Sequence, residues 1–258
     1  MKYLISGASS AFCQAVAEEL VLQGNDVSMI GRTTKIPFYL ENPEQCLEQL
    51  LDSSDYFLHF AHSFDSQKKP DLNEIAARKI LAITKKSHVK KCIYISSESA
   101  SSYTKSSYGQ SKYRTERIFL PSKKWVVIRI GVIENETIPS PYQLVSKLVK
   151  LTRVLIIPNP YRPNLTVTNV NQVARSVVYA CKSKLTGGPF SVQPSSELFS
   201  IVDLLQKKGI NPKLVLRVPD VVAFFLWSIG KRFKRTRRIS DAIMSTVANR
   251  EVISGIQI

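Results

Sequence analysis

The sequence predicts an α/β fold: a Rossmann-like, doubly wound parallel sheet followed by a smaller C-terminal region. Three observations predict it. Short apolar runs alternate with helically spaced stretches through the first half of the chain. The opening run, Tyr3-Leu-Ile5, ends in Ser6-Gly7 and leads straight into a helix. Cys92 to Ile95 is apolar on both faces, as a strand buried inside a parallel sheet must be.

The elements follow in order. After Gly7, Gln14 to Gln23 has helical spacing, with Ala15, Val16, Leu20 and Val21 as its apolar stripe and Gly24-Asn25 as a stop. Val27 to Ile30 is a second strand, closed by Gly31-Arg32. A less regular stretch with Pro37 and Pro43 precedes a helix from Pro43 to Leu51. Tyr56 to Ala61 is the third strand, Leu72 to Lys86 a helix, Tyr108 to Phe119 another helix, and Trp125 to Ile130 a further strand. Right-handed crossovers between parallel strands put a ligand crevice at their carboxyl ends. Beyond residue 131 the pattern loosens. Helices are expected near Gln143 to Leu151, Asn171 to Cys181 and Phe199 to Lys208, with strands near Leu165 to Val167 and at Phe190-Ser-Val192. The expected organisation is a cofactor-binding domain over 1–131, to which 164–182 returns, and a region over 132–258 that is mainly substrate-binding and ends in a basic tail.

Composition narrows the partners. Of 258 residues, 36 are basic and 20 acidic, a formal charge of +16 that favours anionic ligands. Four scattered cysteines (Cys13, Cys46, Cys92 and Cys181) without a CxxC pair fit a reduced, cytoplasmic setting better than a disulfide framework. The start of the chain reads as a strand and not as a secretory signal, and no apolar run reaches the ~20 residues a spanning helix needs. The sequons at Asn135 and Asn164 are then chance matches.

Four segments carry the chemistry. Gly7-Ala-Ser-Ser-Ala-Phe-Cys13 is a strand-to-helix turn of the kind that brings backbone N–H groups against a pyrophosphate, with Gly7, Ser9, Ser10, Ala11 and Phe12 as the contacts. A plain strand–helix connection would look the same, and the two later glycines usual in such a turn are replaced by small residues. Gly31-Arg32-Thr33 stands where a dinucleotide's adenosine ribose lies. An acidic residue there suits a free 2′-hydroxyl, whereas Arg32 suits a 2′-phosphate and points to NADP(H) rather than NAD(H). Leu58-His59-Phe60-Ala61-His62 closes the third strand; without a second ligand cluster its histidines read as packing and wall residues, with Ala61 beside the cofactor. Ile95-Ser96-Ser97 at a strand end, followed by Tyr108-Gly-Gln-Ser-Lys112 opening a helix, is the most specific. A tyrosine and a lysine four apart share a helix face. The ammonium is expected to draw the phenol pKa down, while Ser97 holds the same substrate oxygen; this suits hydride transfer to or from a carbonyl.

On these residues the chain resembles the short-chain dehydrogenase/reductase superfamily, whose Ser, Tyr and Lys set is matched by Ser97, Tyr108 and Lys112. GASSAFC is similar to that superfamily's GASSGIG or GATGFIG turn. LHFAH resembles the IHLAA of its extended, nucleotide-sugar-modifying branch, and Asn73 to Val89 with KKCIYISS resembles the helix and active-site strand of that branch. Val126 to Gly131 and Val167 to Ala174 are similar to two further segments, except that Glu134-Asn135 stands for a Tyr-Gly and Gln172 for an aspartate. The tail from Val218 resembles, loosely, bacterial nucleotide-sugar 4-ketoreductases and epimerases of surface-polysaccharide pathways. The resemblance implies an NAD(P)-dependent oxidoreductase acting on a nucleotide-diphosphate sugar. Tyr108 would be its general acid, Lys112 would contact the nicotinamide ribose, and Ser97 would orient the carbonyl. Arg162 is the candidate for the diphosphate. Reduction of a 4-keto group is the first expectation, with epimerisation, dehydration and a non-catalytic NADPH-binding sensor as alternatives. By analogy the family also implies a homodimer.

The tail leaves one further reading open. Val221 to Trp227 is apolar and is followed by Lys231, Arg232, Lys234, Arg235, Arg237 and Arg238. Such a segment either packs on the substrate region with a solvated basic end, or rests peripherally on anionic membrane at the inner face. No recognised motif supports a nucleic-acid partner.

Overall fold

Alternation of apolar side chains along each predicted strand resolves, in a computed structural model of the chain, into two helical layers on one sheet. Residues 1–64, 71–133, 141–159, 166–192 and 200–219 are described, together with Val221, Val222, Phe225, Ser228 and Ile229. In chain order the first half contains β1 (Lys2–Ser6), α1 (Ala11–Leu22), β2 (Asp26–Ile30), α2 (Glu44–Asp52), β3 (Tyr56–His59), α3 (Leu72–Lys86), β4 (Lys91–Ser97), α4 (Ser107–Phe119) and β5 (Trp125–Ile130). The second half contains β6 (Val132–Ile133), α5 (Pro141–Thr152), β7 (Val154–Asn159), β8 (Val167–Thr168), α6 (Val170–Lys182), β9 (Gly187–Ser191), α7 (Ile201–Lys207) and β10 (Leu214–Pro219).

The six-stranded sheet has the order β2-β1-β3-β4-β5-β9, and each pairing is parallel. The strand order therefore reverses at β1, which lies between β2 and β3. That switch point is where an open α/β sheet forms a crevice.

Side chains of successive strand residues point to opposite faces. Tyr3, Ile5, Leu58, Ile93, Ile95, Val126 and Ile128 pack under α1 and α6. Leu4, Phe57, Cys92, Tyr94 and Val127 face the other way, against α2, α3 and α4. The sheet is thus covered on both sides. α6 lies against α1 in the first of these layers, and β9 adds the sixth strand beside β5.

A separate small core joins α5, β7 and α7 through Tyr142, Val145, Val149, Leu155, Ile157, Ile201, Leu204 and Leu205. β7 and β10 form a two-stranded parallel ribbon, and neither was apparent from periodicity. In sequence β7 is an unbroken apolar run, Val154 to Ile157, although Leu155 and Ile157 are buried and Ile156 is exposed; Leu214, Val215, Leu216 and Arg217 of β10 are all exposed, so β10 has no buried face to mark it. The Phe190 strand was expected to belong to the second region; it extends the central sheet instead. No helix among the described residues is long and apolar enough to cross a membrane. Arg162, Glu134-Asn135 and the basic run from Lys231 to Arg238 lie outside the described residues.

Candidate active site

The first turn depends on Gly7. Its φ is +101°, and a Cβ there would lie 2.8 Å from the Ala61 nitrogen and 3.0 Å from the Phe60 carbonyl carbon. Only glycine accommodates both the backbone conformation and the contact. The Gly7 and Ala8 amides bond to the Ile30 carbonyl at 3.0 and 3.2 Å, tying the turn to the end of β2. Ser10 is the N-cap of α1: its hydroxyl accepts from the Cys13 amide at 3.5 Å. The amides of Ser9, Ala11 and Phe12 have no protein partner among the described residues, as expected at a helix N-terminus.

Cys13 does not crowd this turn. Its thiol is fully buried and points to the Ser6 carbonyl, 3.9 Å away, inside the layer under α1. The Phe12 ring packs edge-on against Phe60 at 5.7 Å, so Phe12 can offer only its backbone to a ligand. Ser9 and Ser10 are exposed. Gly31 rests on Ala8, with a Cβ position 3.1 Å from the Ala8 Cβ, and Arg32 emerges exposed beside the turn. The structure thus brings Gly7, Ser9, Ser10, Ala11, Phe12, Arg32 and Ala61 to one edge of the crevice.

The second group stands at the ends of β3 and β4. Ser97 closes β4, and its hydroxyl bonds to the Tyr108 hydroxyl and lies 2.9 Å from that of Ser99. Tyr108 and Lys112 sit in the first turns of α4, whose N-cap Ser106 accepts from the Gly109 amide at 3.2 Å. A Cβ on Gly109 would collide with the Ser99 carbonyl, so glycine lets α4 close onto the segment that follows β4. The Lys112 ammonium donates to the Ile95 carbonyl at 2.9 Å and lies 4.8 Å from the Tyr94 ring centre and 5.9 Å from that of Tyr108.

One expectation is reversed here. Burial pushes the Tyr108 phenol up to about 12, only partly offset by the Ser97 hydroxyl, and draws Lys112 down to about 7 against the pull of Glu116. Desolvation disfavours the charged form of each group, and Lys112 aims its proton at a carbonyl and not at the phenol. In the ligand-free site Tyr108 is therefore an intact acid at neutral pH.

The loop after β3 supplies residues that sequence reasoning gave no chemistry. His59 is structural: its Nδ1 pairs with the Ser6 hydroxyl at 2.7 Å amid Phe38, Phe57, Tyr94 and Phe119. His62 stands edge-on to Tyr108 at 5.1 Å, and Phe64, 72% exposed, stacks on the Tyr108 ring at 5.6 Å. Asn73 of α3 holds this loop. Its Oδ1 accepts from the Ser63 amide at 2.7 Å, and its Nδ2 donates to the Ser63 carbonyl at 2.9 Å and to the Ser111 hydroxyl at 3.1 Å. Asn73 was visible only as the start of a helix; its clamp links residues far apart in sequence. Among the described residues no cluster of His, Cys, Asp or Glu could hold a metal ion.

No family model and no curated protein matches the sequence. Solved structures do match. The UDP-N-acetylglucosamine 4-epimerase of Bacillus cereus superposes with a TM-score of 0.62 at 18% identity, over 86% of this chain and 87% of that one. MoeE5, solved in complex with UDP-glucose and NAD, gives a TM-score of 0.64 at 17% identity, over 85% of each chain. TunA, an NAD-dependent NDP-hexosamine 5,6-dehydratase involved in tunicamycin biosynthesis, gives 0.64 at 16% identity, again over 85% of each. The chain shares the Rossmann-like fold of these structures. Within that fold the first turn and the Ser97, Tyr108 and Lys112 group lie on the carboxyl side of one sheet, joined by the Phe60-Ala61-His62 backbone that passes between them.

Proposed function

We propose that the chain is an NADP(H)-dependent oxidoreductase that reduces a 4-keto group of a nucleotide-activated sugar, in the manner of surface-polysaccharide biosynthesis. The observation that carries this reading is the Tyr108 hydroxyl, bonded to Ser97 and backed by Lys112 at the carboxyl end of the sheet. Its proton is held firmly at neutral pH, the form a keto reduction needs.

The first turn fits a dinucleotide. Ser9, Ala11 and Phe12 would offer amides to the pyrophosphate, Gly7 admits the close approach, and the inward Cys13 thiol leaves the turn clear. Arg32 would receive a 2′-phosphate; the neighbours solved with NAD make NAD(H) the alternative tested beside it. When bound, the reduced nicotinamide supplies a hydride to the carbonyl carbon. Ser97 donates a hydrogen bond to the keto oxygen and orients it. As that oxygen becomes an alkoxide, more basic than a phenolate, Tyr108 gives up its proton and the hydroxyl product forms. Lys112, in its protonated form, stabilises the phenolate left on Tyr108 and would hold the nicotinamide ribose. Arg162 is assigned to the substrate diphosphate.

Epimerisation or dehydration is the second reading, favoured by what the Bacillus cereus and TunA structures are. Stoichiometry separates the two: a reductase consumes one NADPH per sugar, whereas an epimerase returns its cofactor unchanged. Fluorescence titration with NADPH and NADH tests the whole. NADPH is expected to bind more tightly than NADH, and Tyr108→Phe to lower turnover of a 4-keto sugar by 100-fold or more, on the order of a lost general acid, while leaving NADPH affinity nearly unchanged. Binding of neither dinucleotide would overturn the enzyme reading, and tighter NADH would remove the role of Arg32.

A further inference from the structure

We infer that His62 is a ligand-contacting residue, whose imidazole hydrogen-bonds an uncharged polar group, a hydroxyl or a carboxamide, of the molecule held between the first turn and Tyr108. This deepens the proposed function and rests on it. His62 lies just beyond the carboxyl end of β3, at the point where the strand order reverses. Both of its ring nitrogens are sealed from water, and neither has a hydrogen-bond partner among the described residues. An imidazole always carries at least one donor, and in its neutral form one acceptor as well, so two strong polar atoms go unused. Burying such atoms unpaired costs free energy that no described residue of the ligand-free chain returns.

His59 makes the contrast. The same strand end places that histidine three positions earlier and pairs it with Ser6 at 2.7 Å. Nor is His62 on a loop that relieves itself by moving. The next residue, Ser63, is held on both its amide and its carbonyl by Asn73, which is anchored in turn to Ser111 of α4. The backbone is thereby held while the ring stands edge-on to Tyr108 at 5.1 Å and to Phe64 at 5.3 Å, so rotation of the side chain is what brings a ring nitrogen to a ligand.

The class of ligand group follows from charge. Burial, with Lys112 and His59 nearby, keeps the imidazole neutral, and Tyr108, which it faces, is itself protonated. A neutral ring suits a group that both donates and accepts, whereas a phosphate would call for imidazolium. Two sources carry such groups: the nicotinamide riboside end of the dinucleotide, and the sugar of the nucleotide sugar.

The test compares wild type with His62→Phe, His62→Leu and His62→Gln. Melting of the ligand-free proteins is measured, then affinity for NADPH by fluorescence and for UDP-glucose by calorimetry. His62→Phe, or His62→Leu if the larger ring does not fold, is expected to melt at or above wild type because an unpaired polar group is gone. It should also bind one of the two ligands about three- to tenfold more weakly, the worth of one neutral hydrogen bond. His62→Gln, which keeps a donor and an acceptor, should recover part of that loss. Loss on NADPH alone places the partner on the cofactor; loss on UDP-glucose alone places it on the sugar. Unchanged affinity for both, in an apolar variant that folds, overturns the inference and leaves the proposed function standing. Wild type that binds neither ligand overturns the function, and this inference with it.

Discussion

Gly7 shows how much a single position constrains the crevice. With φ at +101° and the Ala61 nitrogen 2.8 Å from any Cβ, an alanine must strain its own backbone and push the β3 exit away. Strain of this kind costs on the order of 1–3 kcal/mol. Gly7→Ala is therefore expected to melt below wild type and to bind NADPH at least tenfold more weakly, since the displaced residues lie between the first turn and Tyr108. Melting curves and fluorescence titration check both; a wild-type titration from a destabilised variant would separate the turn from cofactor binding. Ser10 and Cys13 looked equally consequential in the sequence, as replacements for glycines. In the structure Ser10 caps α1, and Cys13 turns its sulfur into the core. Residue identity was legible there, but side-chain direction was not, because it is set by packing against β1. The Tyr108 and Lys112 pair teaches the same lesson. Spacing put both on one helix face, yet the direction of both pKa shifts follows from burial, which spacing does not report.

At the scale of elements, α4 is fastened to the sheet by an ion pair rather than by apolar contact alone. Arg129 of β5 donates from Nε and Nη2 to the two carboxylate oxygens of Glu116 at 2.8 and 2.7 Å, with both side chains at most 2% exposed. Glu116 is one helical turn after Lys112, so the pair fixes the register of the α4 face that carries Tyr108 and Lys112 against β5. Removing one partner strands a buried charge, which typically costs about 3–5 kcal/mol, whereas removing both can be nearly neutral. Arg129→Met should lose about that much stability in urea unfolding, and Arg129→Met with Glu116→Leu should regain most of it. An additive double variant would show that the two side chains do not act as a pair. Elements of this kind were legible where burial imposes a period: α3 and β5 were placed to the residue, over Leu72 to Lys86 and Trp125 to Ile130. β10 was not, because Leu214 to Arg217 are held by pairing with β7, distant in sequence, and not by a buried face. Lone signals such as Asn73, or Glu98 bonded to Ser191 across the sheet from β4 to β9, are tertiary in the same sense.

Across the whole molecule the balance of charge makes acid the condition that tests the fold. The chain already carries +16, and each proton taken up on unfolding or forced on the native state adds to that excess. His59 sits at the centre of the second helical layer, stacked on Tyr94 from β4, beside Phe119 from α4, and bonded to Ser6 from β1. Burial, helped by the Lys112 charge, holds it neutral and lowers its pKa to about 3. In the unfolded chain a histidine titrates near 6.5. Below that pH the unfolded state binds a proton that the native state refuses, so stability is complete above about 6.5 and falls as the pH drops toward 3. The slope is about 1.4 kcal/mol per pH unit for one such group. Glu116, whose pKa burial raises, works in the opposite sense, and the lowered pKa of His62 works in the same sense; both remain in a His59→Phe variant. That variant leaves the Ser6 hydroxyl unpaired and is expected to be less stable than wild type at pH 7. Between pH 6.5 and 5, however, it should lose about 2 kcal/mol less than wild type in urea unfolding, because the difference between the two profiles isolates the His59 proton. Parallel profiles would mean that His59 is protonated inside the folded chain, and its place in the aromatic layer would have to be redrawn around a buried cation.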